Sequence, residues 1–284
     1  MNENVIALAR IRQHYSVLSQ SEKRIASYIL ENHEKLTEST TADLAERTGT
    51  SPATIVRFCR SLGFKGFSDF KLYLSQDYFS SSGKSIRVEQ DENMAEIKQK
   101  TFRFNQNSVE DTMSLLSNES LERAVKAIGE SSQVLIVGEG GSASSARIGF
   151  EAFLQIGIHS MYLEDPFFQV MAISRMPEDG VVIGITHSGR ARNVIDSMKV
   201  AKEKGLTTIG LVGIVGSPVM KYTDIPLFNG VTEHLYFSDT IAARICELNV
   251  FSTLHAALSL QRKEILGDYR QEISRLLNIK RVKK

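Results

Sequence analysis

Apolar residues recur at helical spacing early in the chain, at Val5–Ile6–Leu8–Ala9, Ile25–Tyr28–Ile29 and Leu44–Ala45. Polar residues fill the intervals, so the stretch to about residue 78 is expected to be all-helical. Ser19 and Ser21 offer N-caps before one of these helices. The polar run Ser80-Ser81-Ser82-Gly83-Lys84-Ser85 then reads as a flexible linker. Helical spacing resumes from about 93 to 117 and again around Leu121 to Ile128. Beyond about 133 the texture changes to short β-branched runs: Val134–Val137, His159–Leu163, Val181–Thr186 and Thr207–Val212. Helix-length segments separate them, which implies crossover units and a mostly parallel sheet. One long apolar-periodic helix is expected over 239–262, and the chain ends in the basic Lys280-Arg281-Val282-Lys283-Lys284. There is no internal repeat of solenoid length.

Composition sharpens this picture in three ways. A length of 284 residues with 42% hydrophobic content supports two domains, each with its own core. Basic and acidic residues nearly cancel, 34 against 33, so any nucleic-acid surface must be local. The two cysteines, Cys59 and Cys246, lie outside any Cys/His cluster. That spacing argues against a disulfide framework or a zinc site and fits a reducing, cytoplasmic location. The opening MNENVIALARIRQHYSVLS lacks the apolar run of a signal peptide, and no stretch approaches the roughly 18 apolar residues of a membrane span. No membrane partner is expected.

The segment TADLAERTGTSPATIVRFCR, Thr41 to Arg60, fits a helix-turn-helix frame. Ala45 is small where two helices cross closely, and Gly49 tolerates the positive φ of the turn. Leu44, Ile55 and Phe58 supply apolar anchors. Ser51 is placed to cap the second helix, with Pro52 in its first turn where a missing N–H costs nothing. The outward face then carries Ala53, Thr54, Arg57 and Arg60. Arg57 is positioned to read guanine edges, and Thr54 or Ser51 to hold a phosphate or base edge. Lys65 and Lys71 follow, and Asp69 is the only acid between Arg47 and Lys71. An ordinary helical hairpin with a solvated basic face would share part of this pattern.

Two strand-to-helix turns carry the chemistry of the second half. Gly138-Glu139-Gly140-Gly141-Ser142 precedes a small-residue helix opening Ala143-Ser144-Ser145-Ala146. Glycines let backbone approach an anion, and the helix start presents N–H groups and a positive dipole end. The third glycine of the dinucleotide fingerprint and the Gly-Lys-Ser/Thr of a nucleotide P-loop are both missing. The second turn, Thr186-His187-Ser188-Gly189, places two hydroxyls around an apical histidine. Two such strand ends suit a phosphate at the carboxyl edge of a parallel sheet. Tight turns with incidental serines are the plainer alternative. Glu247 and His255 lie on the long helix, where either can face a pocket or an interface; His159 and His234 have no nameable partner.

These residues also carry a resemblance. LSQSEKRIASYILEN, the helix-turn-helix segment and RFCRSLGFKGFSDFK together resemble the head of RpiR-type (MurR/RpiR) regulators. The phrase from Arg57 to Lys71 is more specific than the frame alone. The rear, with VGEGGSA, ITHSG and SDTIAARICEL, is similar to a sugar isomerase (SIS) domain. The resemblance implies an all-α helix-turn-helix head followed by a three-layer α/β SIS domain with a mostly parallel sheet flanked by helices. It divides the chain into a DNA-binding domain at 1–78, a linker and leading helix at 79–120, a SIS domain at 121–264 and a basic tail at 265–284. It also implies a homo-oligomer, dimer or tetramer, that binds operator DNA and responds to a phosphosugar.

On the outward face of the frame, DNA is expected at Ser51, Pro52, Ala53, Thr54, Arg57, Arg60 and Lys65; carried over by position from the family, Ser142, Thr186 and Ser188 hold the phosphate, with Gly138 and Gly189 shaping the turns. The ligand is expected at Gly138, Glu139, Gly140, Gly141, Ser142, Thr186, His187, Ser188, Gly189 and Glu247. Ala191 stands where the SIS pattern has threonine, so one phosphate hydroxyl is absent and Arg190 or Arg192 is left to compensate. Ala243 and Glu247 depart from the Ser-Arg-Ile-x-Gln pattern of the last helix, which marks Glu247 as a selector of the sugar. No catalytic residue, cofactor or metal is expected. The competing readings are a SIS-type aldose–ketose isomerase, with Glu247 and His187 as its acid–base pair, and a sugar-sensing adaptor that does not bind DNA.

Overall fold

The computed structural model describes residues 7–32, 36, 39–80, 92–231 and 241–277. Val5, Ile6, the linker residues Ser81–Ser85, His234 and the basic Lys280–Lys284 lie outside them. The chain divides into two compact units. The first takes residues up to Leu116 together with Gly213–Gly216 and Phe228–Ala243, and the second takes the remainder.

The first unit is helical among its described residues. It contains α1 (Ala7–His14), α2 (Gln20–Asn32), α3 (Thr41–Thr48), α4 (Pro52–Ser61), α5 (Phe67–Ser80) and α6 (Met94–Leu115). Local chemistry starts and stops these helices. Ser19 precedes α2, where its Oγ accepts from the Glu22 N–H while the Glu22 carboxylate accepts from the Ser19 N–H. Thr40 and Asp43 form a reciprocal capping box on α3. Gly49 ends α3 at φ 61°, the left-handed conformation that a side chain would strain. The core gathers Ile11, Ile25, Ile29, Leu44, Ile55 and Phe58, all fully buried. The aromatic residues after Arg57 complete it: Phe64 meets Phe70 edge-on at 5.2 Å, and Phe58 meets Phe70 at 6.4 Å. α6 opens on an Asn93–Glu96 capping box, and the Thr112 hydroxyl accepts from the Gly230 N–H at 2.8 Å.

The second unit holds the α/β half apart from Phe228 and Ile241–Ala243, which fall in the first. That half runs α7 (Asn118–Glu130), β1 (Val134–Gly138), α8 (Gly141–Gln155), β2 (Ser160–Tyr162), α9 (Pro166–Arg175), β3 (Val181–Thr186), α10 (Arg192–Glu203), β4 (Thr207–Val212), β5 (Ile225–Phe228), α11 (Ile241–Gln261) and α12 (Lys263–Leu277). The strand order is β2-β1-β3-β4-β5, with parallel pairing of β1 to β2, β1 to β3 and β3 to β4. The four expected strands are present, and Ile225–Phe228 adds a fifth that the alternation did not announce.

The chain leaves β1 toward β2 and then crosses back to β3. Right-handed crossovers therefore place α8 on one face of the sheet and α9 and α10 on the other. α11 packs on α8 through Phe251, whose ring meets Phe153 at 5.8 Å. The reversal leaves a crevice at the carboxyl ends of β1 and β3, the adjacent strands on either side of the switch point. Their register aligns Gly138 with Ile185, so both expected turns open at the same edge.

Candidate DNA-binding and effector sites

α4 presents the expected recognition face. Ser51 caps it, accepting from the Thr54 N–H at 3.2 Å, and Pro52 takes its first position. Ile55, Phe58 and Cys59 face the core, while Ser51, Pro52, Ala53, Arg57 and Arg60 are exposed and Thr54 is half-buried. Hydroxyls and guanidinium form a chain along this face. Ser51 Oγ and Thr54 Oγ1 are 2.9 Å apart, and Arg57 donates to Thr54 Oγ1 at 3.2 Å. Arg60 leans toward the carbonyl of the exposed Lys65 at 3.5 Å, and the Lys65 N–H caps onto Asp69 at 2.7 Å. One acid enters this region from a distance. Ser61 at the end of α4 donates to Glu22 of α2 at 3.3 Å. Burial would raise the Glu22 pKa, but hydrogen bonds from Ser19 and Ser61 and the charge of Arg57 outweigh it, so the carboxyl lies below its ordinary range.

At the carboxyl edge of the sheet the two turns differ from their neighbour. α9 is capped by Asp165, whose carboxylate accepts from Phe167 and Phe168 and fills its N-terminus with negative charge. Gly140 stands at the N-cap of α8 and Ala191 at that of α10, and neither supplies a side-chain cap. The dipole ends of α8 and α10 are thus left to an outside anion. Gly138 is obligatory at the first turn, because a Cβ there would sit 2.5 Å from the Ser142 carbonyl oxygen. Gly140 and Gly141 are exposed.

Three hydroxyls line these turns, and each accepts a hydrogen bond from the protein. Ser142 Oγ accepts from Arg244 at 2.7 Å, Thr186 Oγ1 from the Ala191 N–H at 3.5 Å, and Ser188 Oγ from the Arg190 N–H at 3.2 Å. None has an acceptor for its own proton among the described residues, so all three keep an O–H to give. Glu139 accepts from Asn193 at 2.9 Å, which ties the two turns together. His187 sits half-buried at the second apex, and Gly189 is buried below it. Of the two arginines placed to replace a threonine at 191, Arg192 is paired with Asp196 at 3.0 Å. Arg190 is exposed, with no side-chain partner among the described residues.

Glu247 was expected at a pocket, and the fold places it on the buried stripe of α11 beside Cys246, Val250, Phe251 and Leu254. It is fully buried, and Oε1 accepts from Arg244 at 2.7 Å. Burial pushes its carboxyl up to about 7, against the pull of Arg244 and of the neighbouring Ser145 hydroxyl. Burial likewise lowers the Arg244 pKa, against Glu247. Ser145 Oγ and Glu247 Oε2 do not meet in hydrogen-bond geometry, and each is left without a partner, as is Arg244 Nε.

The fold therefore brings Ser142 and Glu247 together through Arg244, a residue the sequence reading passed over. Its signal was present: a basic residue one helical turn before a carboxylate, on a helix otherwise apolar at that face. Ser145 also carried a signal, one turn after Ser142. Asn193 and Glu22 carried none, since each meets its partner across a distance that only the fold closes. Among the described residues no His, Cys, Asp and Glu cluster could hold a metal ion, and no helix is long and apolar enough to cross a membrane.

Comparison with known proteins agrees with both halves. Residues 5–81 match the helix-turn-helix domain of the rpiR family, and residues 127–238 match the SIS domain. An uncharacterised HTH-type transcriptional regulator of Haemophilus influenzae is 30% identical over 281 residues, covering 97% of this chain and 98% of its own. The HTH-type transcriptional regulator HexR of Escherichia coli is 26% identical over 277 residues, 97% of this chain and 92% of its own. Among solved structures, the Vibrio vulnificus NanR protein complexed with ManNAc-6P superimposes with a TM-score of 0.62 at 25% identity, over 98% of this chain and 100% of its own. The chain belongs to the rpiR family of helix-turn-helix transcriptional regulators that carry a SIS domain.

Proposed function

We propose that this regulator controls genes of carbohydrate metabolism, and that a phosphosugar held at the β1 and β3 turns sets its affinity for operator DNA. One observation carries the reading. Ser142, Thr186 and Ser188 each accept from the protein and keep a proton to donate, beside two helix N-termini without side-chain caps. Such a site lacks an acceptor with several oxygens and a negative charge, which is the description of a phosphate. ManNAc-6P, bound by the Vibrio vulnificus NanR protein, is a ligand of this class. Gly138, Glu139, Gly140, Gly141, His187 and Gly189 shape the two turns around it. On the DNA side, Ser51, Pro52, Ala53, Thr54, Arg57, Arg60 and Lys65 form the contacting face, with Arg57 reading a base edge and the hydroxyls and Lys65 meeting phosphates.

The test is the double change Ser142→Ala with Ser188→Ala, read by operator binding with and without a panel of phosphosugars. The sugar response should vanish while sugar-free operator binding persists. A response that survives unchanged puts the effector elsewhere. One observation favours a second reading, that of an aldose–ketose isomerase: a carboxyl at about 7 suits proton transfer near neutrality. Incubation with the same panel decides, because turnover to a ketose or aldose product would make the chain an enzyme.

A further inference from the structure

The polar cluster behind Ser142 is built for more than holding α11 to α8. Glu247 is fully buried and the Arg244 side chain is 15% exposed, so the pair is largely removed from water. Both Nη atoms of Arg244 are committed, one to Ser142 Oγ and one to Glu247 Oε1, each at 2.7 Å. Three buried atoms of the same cluster make no hydrogen bond of good geometry, although the Ser145 hydroxyl lies near enough to Glu247 to favour its charge: Arg244 Nε is a donor, Glu247 Oε2 an acceptor, and Ser145 Oγ both. Buried polar atoms are nearly always satisfied, by protein, water or ligand, so three in one cluster leave hydrogen-bonding capacity that a ligand group or water can fill. Ser142 links the cluster to the turn after β1, because its oxygen accepts from Arg244 while its own proton has no acceptor among the described residues.

We infer that Arg244, Glu247 and Ser145 form an inner subsite that takes a neutral, hydroxyl-bearing end of the effector and turns away an acidic one. The inference rests on the phosphosugar reading of the two turns. Charge decides the class of group. With Glu247 ionised, the Arg244–Glu247 pair is neutral overall, so a ligand carboxylate entering here would be a buried charge without a counter-ion. A sugar hydroxyl carries no such penalty. It can donate to Glu247 Oε2 and accept from Arg244 Nε, and a neighbouring hydroxyl can exchange with Ser145 Oγ. Replacing Glu247 by glutamine leaves Arg244 as the only charge, and the subsite then favours an acid.

The experiment compares ligand binding by calorimetry near pH 8, above the Glu247 pKa of about 7. The probes are inorganic phosphate, two neutral sugar phosphates (N-acetylmannosamine 6-phosphate and glucose 6-phosphate) and the acidic 6-phosphogluconate. The wild-type chain should bind a neutral sugar phosphate at least about tenfold tighter than 6-phosphogluconate, and Glu247→Gln should erase or reverse that ratio. Far-UV circular dichroism confirms that the variant is folded, and Ser145→Ala, which leaves the ion pair intact, should weaken the neutral sugar phosphate relative to inorganic phosphate. A ratio near one in the wild type, or the same ratio in Glu247→Gln, overturns the subsite while leaving the phosphate turns in place. Failure of every probe, inorganic phosphate included, removes the phosphosugar reading itself.

Discussion

Arg57 is held by one neighbour and surrounded by small ones. Its Nη2 donates to Thr54 Oγ1, while Pro52 and Ala53 leave the start of α4 open for close approach. Arg57→Ala should weaken operator binding by about 1–3 kcal/mol if the arginine pairs bidentately with a base. Anisotropy titrations at several salt concentrations check this, and unchanged affinity at all of them would remove α4 as the reading helix. Glu247 makes a different kind of prediction. Its carboxyl holds a proton more tightly in the folded chain, at about 7, than at the ordinary 4.5. Between those values the native state carries more protons than the unfolded state, so this group makes stability fall as pH rises through the window. Glu247→Gln should match the wild type at acid pH and exceed it above about pH 7. Urea unfolding across that range reads the difference. A variant less stable than wild type at neutral pH would mean that the attraction of Arg244 outweighs burial.

At the scale of elements, the α3–α4 turn depends on one backbone conformation. Gly49 has φ 61° with nothing within 4 Å of where a Cβ would lie, so conformational strain is the whole cost of a side chain there. Gly49→Ala should destabilise the first unit by roughly 1–2 kcal/mol, and Ser51→Ala by about 1 kcal/mol through loss of the α4 cap. Thermal unfolding measures both, and the two losses should add only loosely because they share one turn. Helices and strands with a clear period were legible here. α6 was expected over 93–117 and occupies Met94–Leu115, and β3 and β4 occupy the spans their β-branched runs indicated. β5 was not legible, because Pro226 interrupts Ile225–Phe228. Proline cannot donate within a sheet, so it demotes a strand unless the strand lies at an edge. β5 is at the edge of the sheet, and only the strand order reveals that.

For the whole molecule, regulation requires that effector binding and DNA binding favour different arrangements of the chain. A coupling of about 1–3 kcal/mol, or about 5–150-fold in operator affinity, is the ordinary size of such an effect. One chain presents one α4, and helix-turn-helix operators commonly hold two half-sites about one helical turn apart. The working form is therefore expected to be a dimer or tetramer. Apolar side chains are available to build it: Met94, Phe102 and Met113 stand exposed on α6, and Ile241 and Leu260 on α11. Light scattering at micromolar concentration should find an oligomer, and Phe102→Glu should shift it toward a smaller species if α6 lies in the interface. A monomer with and without phosphosugar would contradict the two-half-site scheme.

Sequence alone determined the parts whose physics is local. The Thr41–Arg60 frame, its cap at Ser51, its turn at Gly49 and the two glycine- and hydroxyl-bearing turns follow from residue period, capping and φ preferences, which act over a few positions. The aromatic phrase from Phe58 to Phe70 was legible as a family signature, and the fold shows why: its four phenylalanines are buried core. Tertiary structure alone decided which distant groups meet. Arg244 reaches Ser142 across 102 positions, Asn193 reaches Glu139 across 54, and Ser61 reaches Glu22 across 39. No local preference encodes such pairs. The first two exist because α11 packs against α8 and because the crossover from β2 to β3 sets the two turns side by side, and the third because α2 packs against α4. The charge state of Glu247 has the same origin, since burial on α11 raises its pKa and burial is a property of the folded chain.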